Sequence, residues 1–271
     1  MRFSRNMEKI NMSKTAEVAD LALSLKEQGH KIINMATGEL SFKPALSIRK
    51  EACRTINKGE TLYTQVVGLN KLRKLIGVKL KKDLKIEYDC DEIIVSNGGK
   101  QVIYNAMQST VNKGDEVIII SPYWVSYPEI IKLCGGKPKV LNTTRKEDFS
   151  INTERLEKLI TSKTKWIILN SPNNPTGVVY SPETIRKLVL VLREYPDIWI
   201  LSDEIYEKLN FSTDQNLSIL HIDKKLKERT LVVNGFSKGY CMTGWRLGYG
   251  AGPKILIEAM KKIQSQSTSA A

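Results

Sequence analysis

Thr230-Leu231-Val232-Val233-Asn234 leads directly into Gly235-Phe236-Ser237-Lys238. The run 230–234 does not alternate apolar with polar residues, so it reads as a strand covered on both faces. The lysine just beyond it is badly placed for packing, because burying a lone ammonium is expensive. Arg246 follows about two helical turns later, framed by glycines in Thr243-Gly244-Trp245-Arg246-Leu247-Gly248-Tyr249.

Other runs of the same kind lie at 92–96, 116–120, 165–170, 199–203 and 247–251. Helical patterns lie between and around them, at 14–28, 45–57, 69–82, 99–111, 124–134, 153–161, 182–194 and 254–266. Breaks fall at Gly29, Gly59, Lys113-Gly114-Asp115 and Gly135-Gly136. Strands each followed by a helix predict an α/β three-layer sandwich with a mostly parallel central sheet. Trp199-Ile200-Leu201 is apolar throughout, as a central strand should be. Residues 1–44 carry one helix and then Gly38-Glu39-Leu40-Ser41-Phe42-Lys43-Pro44, and read as an arm or part of another lobe.

The 271 residues allow one large domain or two smaller ones. No apolar stretch is long enough to span a membrane, and the first residues lack the apolar run of a signal peptide, so the expected location is cytoplasmic. The four cysteines are scattered and the two histidines, His30 and His221, lie far apart. That argues against zinc and against a histidine-based triad. The formal charge of +13 invites a nucleic-acid reading. However, lysines such as Lys71, Lys74, Lys79, Lys81 and Lys82 fall on the outer faces of predicted helices. No basic block is interleaved with aromatics, so the charge is assigned to a solvated surface that helps anionic substrates approach.

In open α/β sheets, ligands bind beyond the carboxyl ends of the strands. After 92–96 comes Asn97-Gly98-Gly99-Lys100-Gln101, either a tight turn or a helix start that offers N–H groups to a phosphate. After 165–170 comes Ser171-Pro172-Asn173-Asn174-Pro175-Thr176-Gly177, either an Asx turn or a rigid loop that presents an amide. After 199–201 comes Ser202-Asp203-Glu204-Ile205-Tyr206, where Asp203 is either a helix cap or a carboxylate awaiting a cation. Together with Lys238 and Arg246, these ends supply what pyridoxal 5'-phosphate requires. They offer a carboxylate for the pyridine nitrogen, an amine for the aldehyde and cationic or N–H groups for the phosphate. The G-x-G-x-x-G of a nicotinamide site and a Walker-type loop are both absent from the sequence.

The chain resembles the pyridoxal-phosphate-dependent class I/II aminotransferases, in particular the bacterial branch that acts on aspartate and, in some members, prephenate. The resemblance runs from about residue 10 to the last residue. Besides the strand-end motifs it rests on Ser121-Pro122-Tyr123-Trp124-Val125-Ser126-Tyr127-Pro128. It implies an aspartate aminotransferase-like large domain at 45–271 and an N-terminal arm with a remnant of the small domain at 1–44. It also implies transfer of an amino group, with aspartate the expected donor, to a 2-oxo acid. Lys238 matches the Schiff-base lysine, with its amine made more acidic by nearby positive charge. Asp203 matches the partner of the ring nitrogen, and Tyr206 and Asn174 match the partners of the ring oxygen. Trp124 matches the stacking aromatic. Arg246, Gly99, Lys100 and Ser237 match the phosphate cup. Tyr63 matches a tyrosine that reaches a neighbouring subunit's phosphate, which implies a homodimer. Gly38 matches a backbone position that contacts substrate, and Trp124, Asn174 and Lys100 also face substrate. Lys100 is the candidate for a distal carboxylate.

Two departures follow from the same match. Leu40-Ser41 stands where the family carries Pro-Asp, and Asn11 falls near a lysine linked to prephenate use, which argues against prephenate. The resemblance also leads to the expectation that a C-terminal small-domain segment, with the arginine that clamps the substrate's α-carboxylate, is absent. The alternatives are then a truncated cofactor-binding protein with little activity, or a lyase on the same scaffold.

Overall fold

The computed structural model describes residue 4 and residues 7–211 and 217–271. Residues 1–3 and 5–6 of the expected arm lie outside the described residues. The helices are α1 (Lys14–Glu27), α2 (Leu46–Asn57), α3 (Asn70–Leu84), α4 (Gly99–Thr110), α5 (Ser126–Leu133), α6 (Thr153–Leu159), α7 (Pro182–Arg193), α8 (Ile219–Ile222) and α9 (Lys254–Ser265). The strands are β1 (Ile93–Ser96), β2 (Glu116–Ser121), β3 (Lys137–Asn142), β4 (Thr164–Asn170), β5 (Trp199–Asp203), β6 (Thr230–Gly235) and β7 (Gly248–Ala251). They form one sheet in the order β1-β7-β6-β5-β4-β2-β3. Only β7 runs against its neighbours β1 and β6; the other pairs are parallel.

Strand residues feed two cores because successive side chains leave a strand on opposite faces. From β4, Ile167 and Leu169 join Ile76, Leu80, Leu156, Leu188 and Leu192 beneath α3, α6 and α7. Trp166 and Ile168 join Val102, Ile103, Met107, Ile131, Leu256 and Met260 beneath α4, α5 and α9. This is the expected three-layer sandwich. β5, apolar until Ser202, sits in the middle of the sheet. α7 begins as its sequence dictates, with Pro182 in its first turn and Ser181 Oγ accepting the Thr184 N–H at 3.1 Å.

Two elements are absent from the sequence reading, and several ends, β7's among them, shift by one or two residues. β3 was not expected, because Lys137-Pro138-Lys139 carries little apolar signal. It is an edge strand, where lysine and proline block further pairing. The four-residue α8 was also missed, being too short for a helical period to register. β7 begins at Gly248 and not at Leu247, and it packs against the start of α4. A Cβ on Gly248 would overlap the backbone of Gly98 and Gly99.

Candidate active site

Sheet register lines the strand ends up along one edge. Asn170 pairs with Asp203, Asp203 with Val233, and Gly248 with both Gly235 and Ser96. Because β7 is antiparallel, its first residue meets the last residues of β1 and β6. The loops carrying Lys238, Arg246, Gly98 and Asn174 therefore open onto the same edge.

Asp203 is buried on this edge at 6 % exposure, as is the adjacent Glu204. Its Oδ2 accepts the Tyr127 hydroxyl at 2.6 Å and its Oδ1 accepts the Ile205 N–H at 3.3 Å. Both donors are neutral. Burial pushes the carboxyl up to about 6, and those two hydrogen bonds oppose the rise only in part. Asn170 ties the strand end to the neighbouring loop: its Nδ2 donates to the Asp203 carbonyl at 3.0 Å and its Oδ1 accepts the Asn174 N–H at 2.8 Å. Asn174 Nδ2 then donates to the Tyr206 hydroxyl at 3.2 Å.

Lys238 is half-buried, with its Nζ 5.8 Å from the centre of the Tyr206 ring. Nζ donates to the Gly38 carbonyl, which brings the N-terminal arm over the site. Its ammonium is made more acidic chiefly by burial. The nearby Glu39 carboxylate opposes the shift and Arg246 adds to it. The sequence reading credited positive charge alone, because burial depends on the arm, which the local motif does not specify.

Arg246 takes left-handed backbone at φ 55° and donates from Nη1 to the Thr243 carbonyl at 2.8 Å. Its Nη2 would stand only 2.5 Å from a Cβ built on Gly98, which itself has φ +81°. The positive φ favours glycine there, and the guanidinium rests on the start of α4. Lys100, in the first turn of α4, has its Nζ 5.0 Å above the Trp124 ring. Its ammonium too is made more acidic, first by burial and then by Arg246. Arg246 and Lys100 thus stand at the N-terminus of α4, an arrangement suited to an anion.

The structure brings together Lys238, Gly38, Asp203, Tyr206, Asn174, Arg246, Gly99, Lys100 and Trp124 on this edge. Ser237 is buried beside Lys238. Tyr63 stands apart, 98 % exposed. Tyr127, Asn170 and Glu39 were not singled out from sequence. A buried carboxylate needs a donor, and a polar residue ending an apolar strand needs a partner. Those rules flag Asn170 and imply some donor like Tyr127, but neither names it.

The family described as aminotransferase class I and II matches residues 30–271. The chain belongs to the class I and II aminotransferases. It is 44% identical over 265 residues to a probable aspartate/prephenate aminotransferase of Rhizobium leguminosarum bv. phaseoli, covering 98% of this chain and 66% of that protein. An aspartate/prephenate aminotransferase of Nitrosomonas europaea is 45% identical, covering 99% of this chain and 68% of its own length. The structure of aspartate aminotransferase from Thermus thermophilus with maleate matches with TM-score 0.94 at 38% identity, over 100% of this chain and 70% of that one. The chain thus spans about two thirds of the length of these relatives.

The site here fits pyridoxal phosphate on its own chemistry. Asp203 is a buried carboxylate whose carboxylate oxygens accept from neutral donors, and a protonated ring nitrogen would supply the missing cation. The glycine cradle with Arg246 suits a phosphate, and the more acidic amine of Lys238 suits an aldehyde.

Proposed function

We propose that this chain holds pyridoxal 5'-phosphate at Lys238 and moves an amino group from aspartate or a similar amino acid to a 2-oxo acid. The observation that carries this is Asp203, a buried carboxylate without a cation, lying on the same sheet edge as the acidified amine of Lys238. When bound, the cofactor supplies an aldehyde for the substrate's amino group and a ring that takes up the electron pair left at Cα.

The protein's own residues do the rest. The α4 N–H groups and the Arg246 guanidinium bind the phosphate, with Ser237 beside them. Ionised Asp203 Oδ would accept the hydrogen bond of the protonated ring nitrogen. Tyr206 Oη and Asn174 Nδ2 orient the ring oxygen, and Trp124 covers one ring face. Lys238 Nζ, its ammonium made more acidic chiefly by burial, is placed to take the Cα proton and pass it on as a general acid. Lys100 Nζ, beside Trp124, meets the distal carboxylate of a dicarboxylic substrate. The maleate named with the Thermus thermophilus relative is a dicarboxylate of that kind. Asn11 argues against prephenate as substrate.

This reading includes residues 45–271 as the cofactor-binding domain, a homodimer in which Tyr63 serves the neighbouring subunit, and a cytoplasmic location. The exposure of Tyr63 supports the homodimer, and four free cysteines suit a reducing compartment. No helix among the described residues is long and apolar enough to cross a membrane. The experiment is borohydride reduction of the chain mixed with pyridoxal phosphate, followed by peptide mass mapping, with aspartate added in a parallel sample. The label is expected on Lys238, with a shift of the visible band on adding aspartate. A label spread over surface lysines, unchanged in Lys238→Ala, would overturn the assignment.

A further inference from the structure

Tyr127 lies in the first turn of α5 and is buried to 2 % exposure. Its ring packs edge-on against Trp124, with centroids 5.4 Å apart and planes at 87°. Its hydroxyl donates to Asp203 Oδ2 at 2.6 Å. One side chain therefore touches both the aromatic proposed to cover the cofactor ring and the carboxylate proposed to face its nitrogen.

Resting on the pyridoxal-phosphate reading above, we propose that Tyr127 is a positioning residue that keeps the proton on the ring nitrogen by stabilising ionised Asp203. A proton between a ring nitrogen and a carboxylate settles according to their relative basicities. Donating a hydrogen bond to the carboxylate makes it the weaker base, so the proton stays on nitrogen. Burial and the neighbouring Asp203 carboxylate both hold the Tyr127 phenol well above its ordinary range, so it remains a donor throughout the working pH. The other groups facing this pair are Tyr206, which follows β5, and Tyr180, which precedes α7. Both are phenols whose own acidity burial suppresses. Asn170 gives its Nδ2 to the Asp203 backbone and not to the carboxylate. Tyr127 is thus the side-chain donor that the structure gives to Asp203 Oδ.

The test uses chain loaded with cofactor labelled with ¹⁵N at the ring nitrogen. In Tyr127→Phe the ring-nitrogen resonance is expected to move toward its deprotonated position. kcat should fall about ten- to a hundred-fold, the range for losing a hydrogen bond to a charged group, while KM for the amino acid changes far less. Replacing Tyr127 by 3,5-difluorotyrosine, which has nearly the same shape and a more acidic hydroxyl, should move the resonance the other way. A merely structural role would not produce that opposed pair. If Tyr127→Phe fails to fold, the fluorotyrosine protein alone decides. A ring-nitrogen resonance indifferent to both changes in loaded protein would overturn this inference and leave the cofactor assignment standing. Failure of the unsubstituted chain to take up the cofactor would overturn both.

Discussion

Replacing Asp203 by Asn separates the requirements of the folded chain from those of the cofactor. Burial moves the Asp203 carboxyl from 3.8 to about 6, which at about 1.4 kcal/mol per pH unit corresponds to about 3 kcal/mol. The folded-state value is raised, so the stabilisation from this group is present below pH 3.8 and is lost as pH rises through 6. Without cofactor, asparagine keeps the shape and can still accept from Tyr127, but it has no charge to desolvate. Asp203→Asn should therefore match the parent near pH 4. Above about pH 7 it should be more stable by up to about 3 kcal/mol, roughly 5 °C in Tm for a chain of this length. Adding pyridoxal phosphate should reverse the order, because only the parent offers the ring nitrogen an anion. The assay is thermal melting of both proteins from pH 4 to 8, with and without cofactor. A difference that does not vary with pH, or an asparagine variant stabilised by cofactor as strongly as the parent, would refute the reasoning.

Lys100→Gln should raise KM for aspartate about ten-fold or more while leaving a monocarboxylic amino acid such as alanine little affected; steady-state kinetics on both substrates checks this. Gly248→Ala places a methyl against the backbone of Gly98 and Gly99. It should cost about 1–3 kcal/mol in urea unfolding and should weaken inorganic phosphate binding, because the α4 N-terminus must move. Gln264, fully buried in α9, accepts from Ser96 Oγ at 2.5 Å and donates to the carbonyls of Val66 and Val95 at 2.5 and 2.8 Å. Gln264→Leu leaves those groups without partners and should lower urea stability by about 2–4 kcal/mol.

Much of the fold was legible because apolar runs and glycine breaks are local signals. β5 and β6 are apolar over most of their length, and their ends were placed within a residue. β3 was not legible, since an edge strand needs few apolar residues and Lys137-Pro138-Lys139 resembles a loop. The chemistry of the site was legible for residues whose type is costly at a strand end: Lys238, Asp203 and Arg246. Tyr127 was not, because an aromatic at a helix start has many uses, and its partner lies 76 residues away.

The amino-acid sequence by itself determined most of the strands and helices, the family and the reactive groups Lys238, Asp203 and Arg246, because each of these is written in residue types at short spacing. Only the tertiary structure decided their environment. The antiparallel insertion of β7 between β1 and β6 brings Arg246 onto the start of α4. The arm lays the Gly38 carbonyl and the Glu39 carboxylate over Lys238. Burial with neutral partners lifts Asp203 to about 6. Acidity depends on solvent and neighbours gathered from distant parts of the chain, so a local motif names the group but does not set its proton affinity.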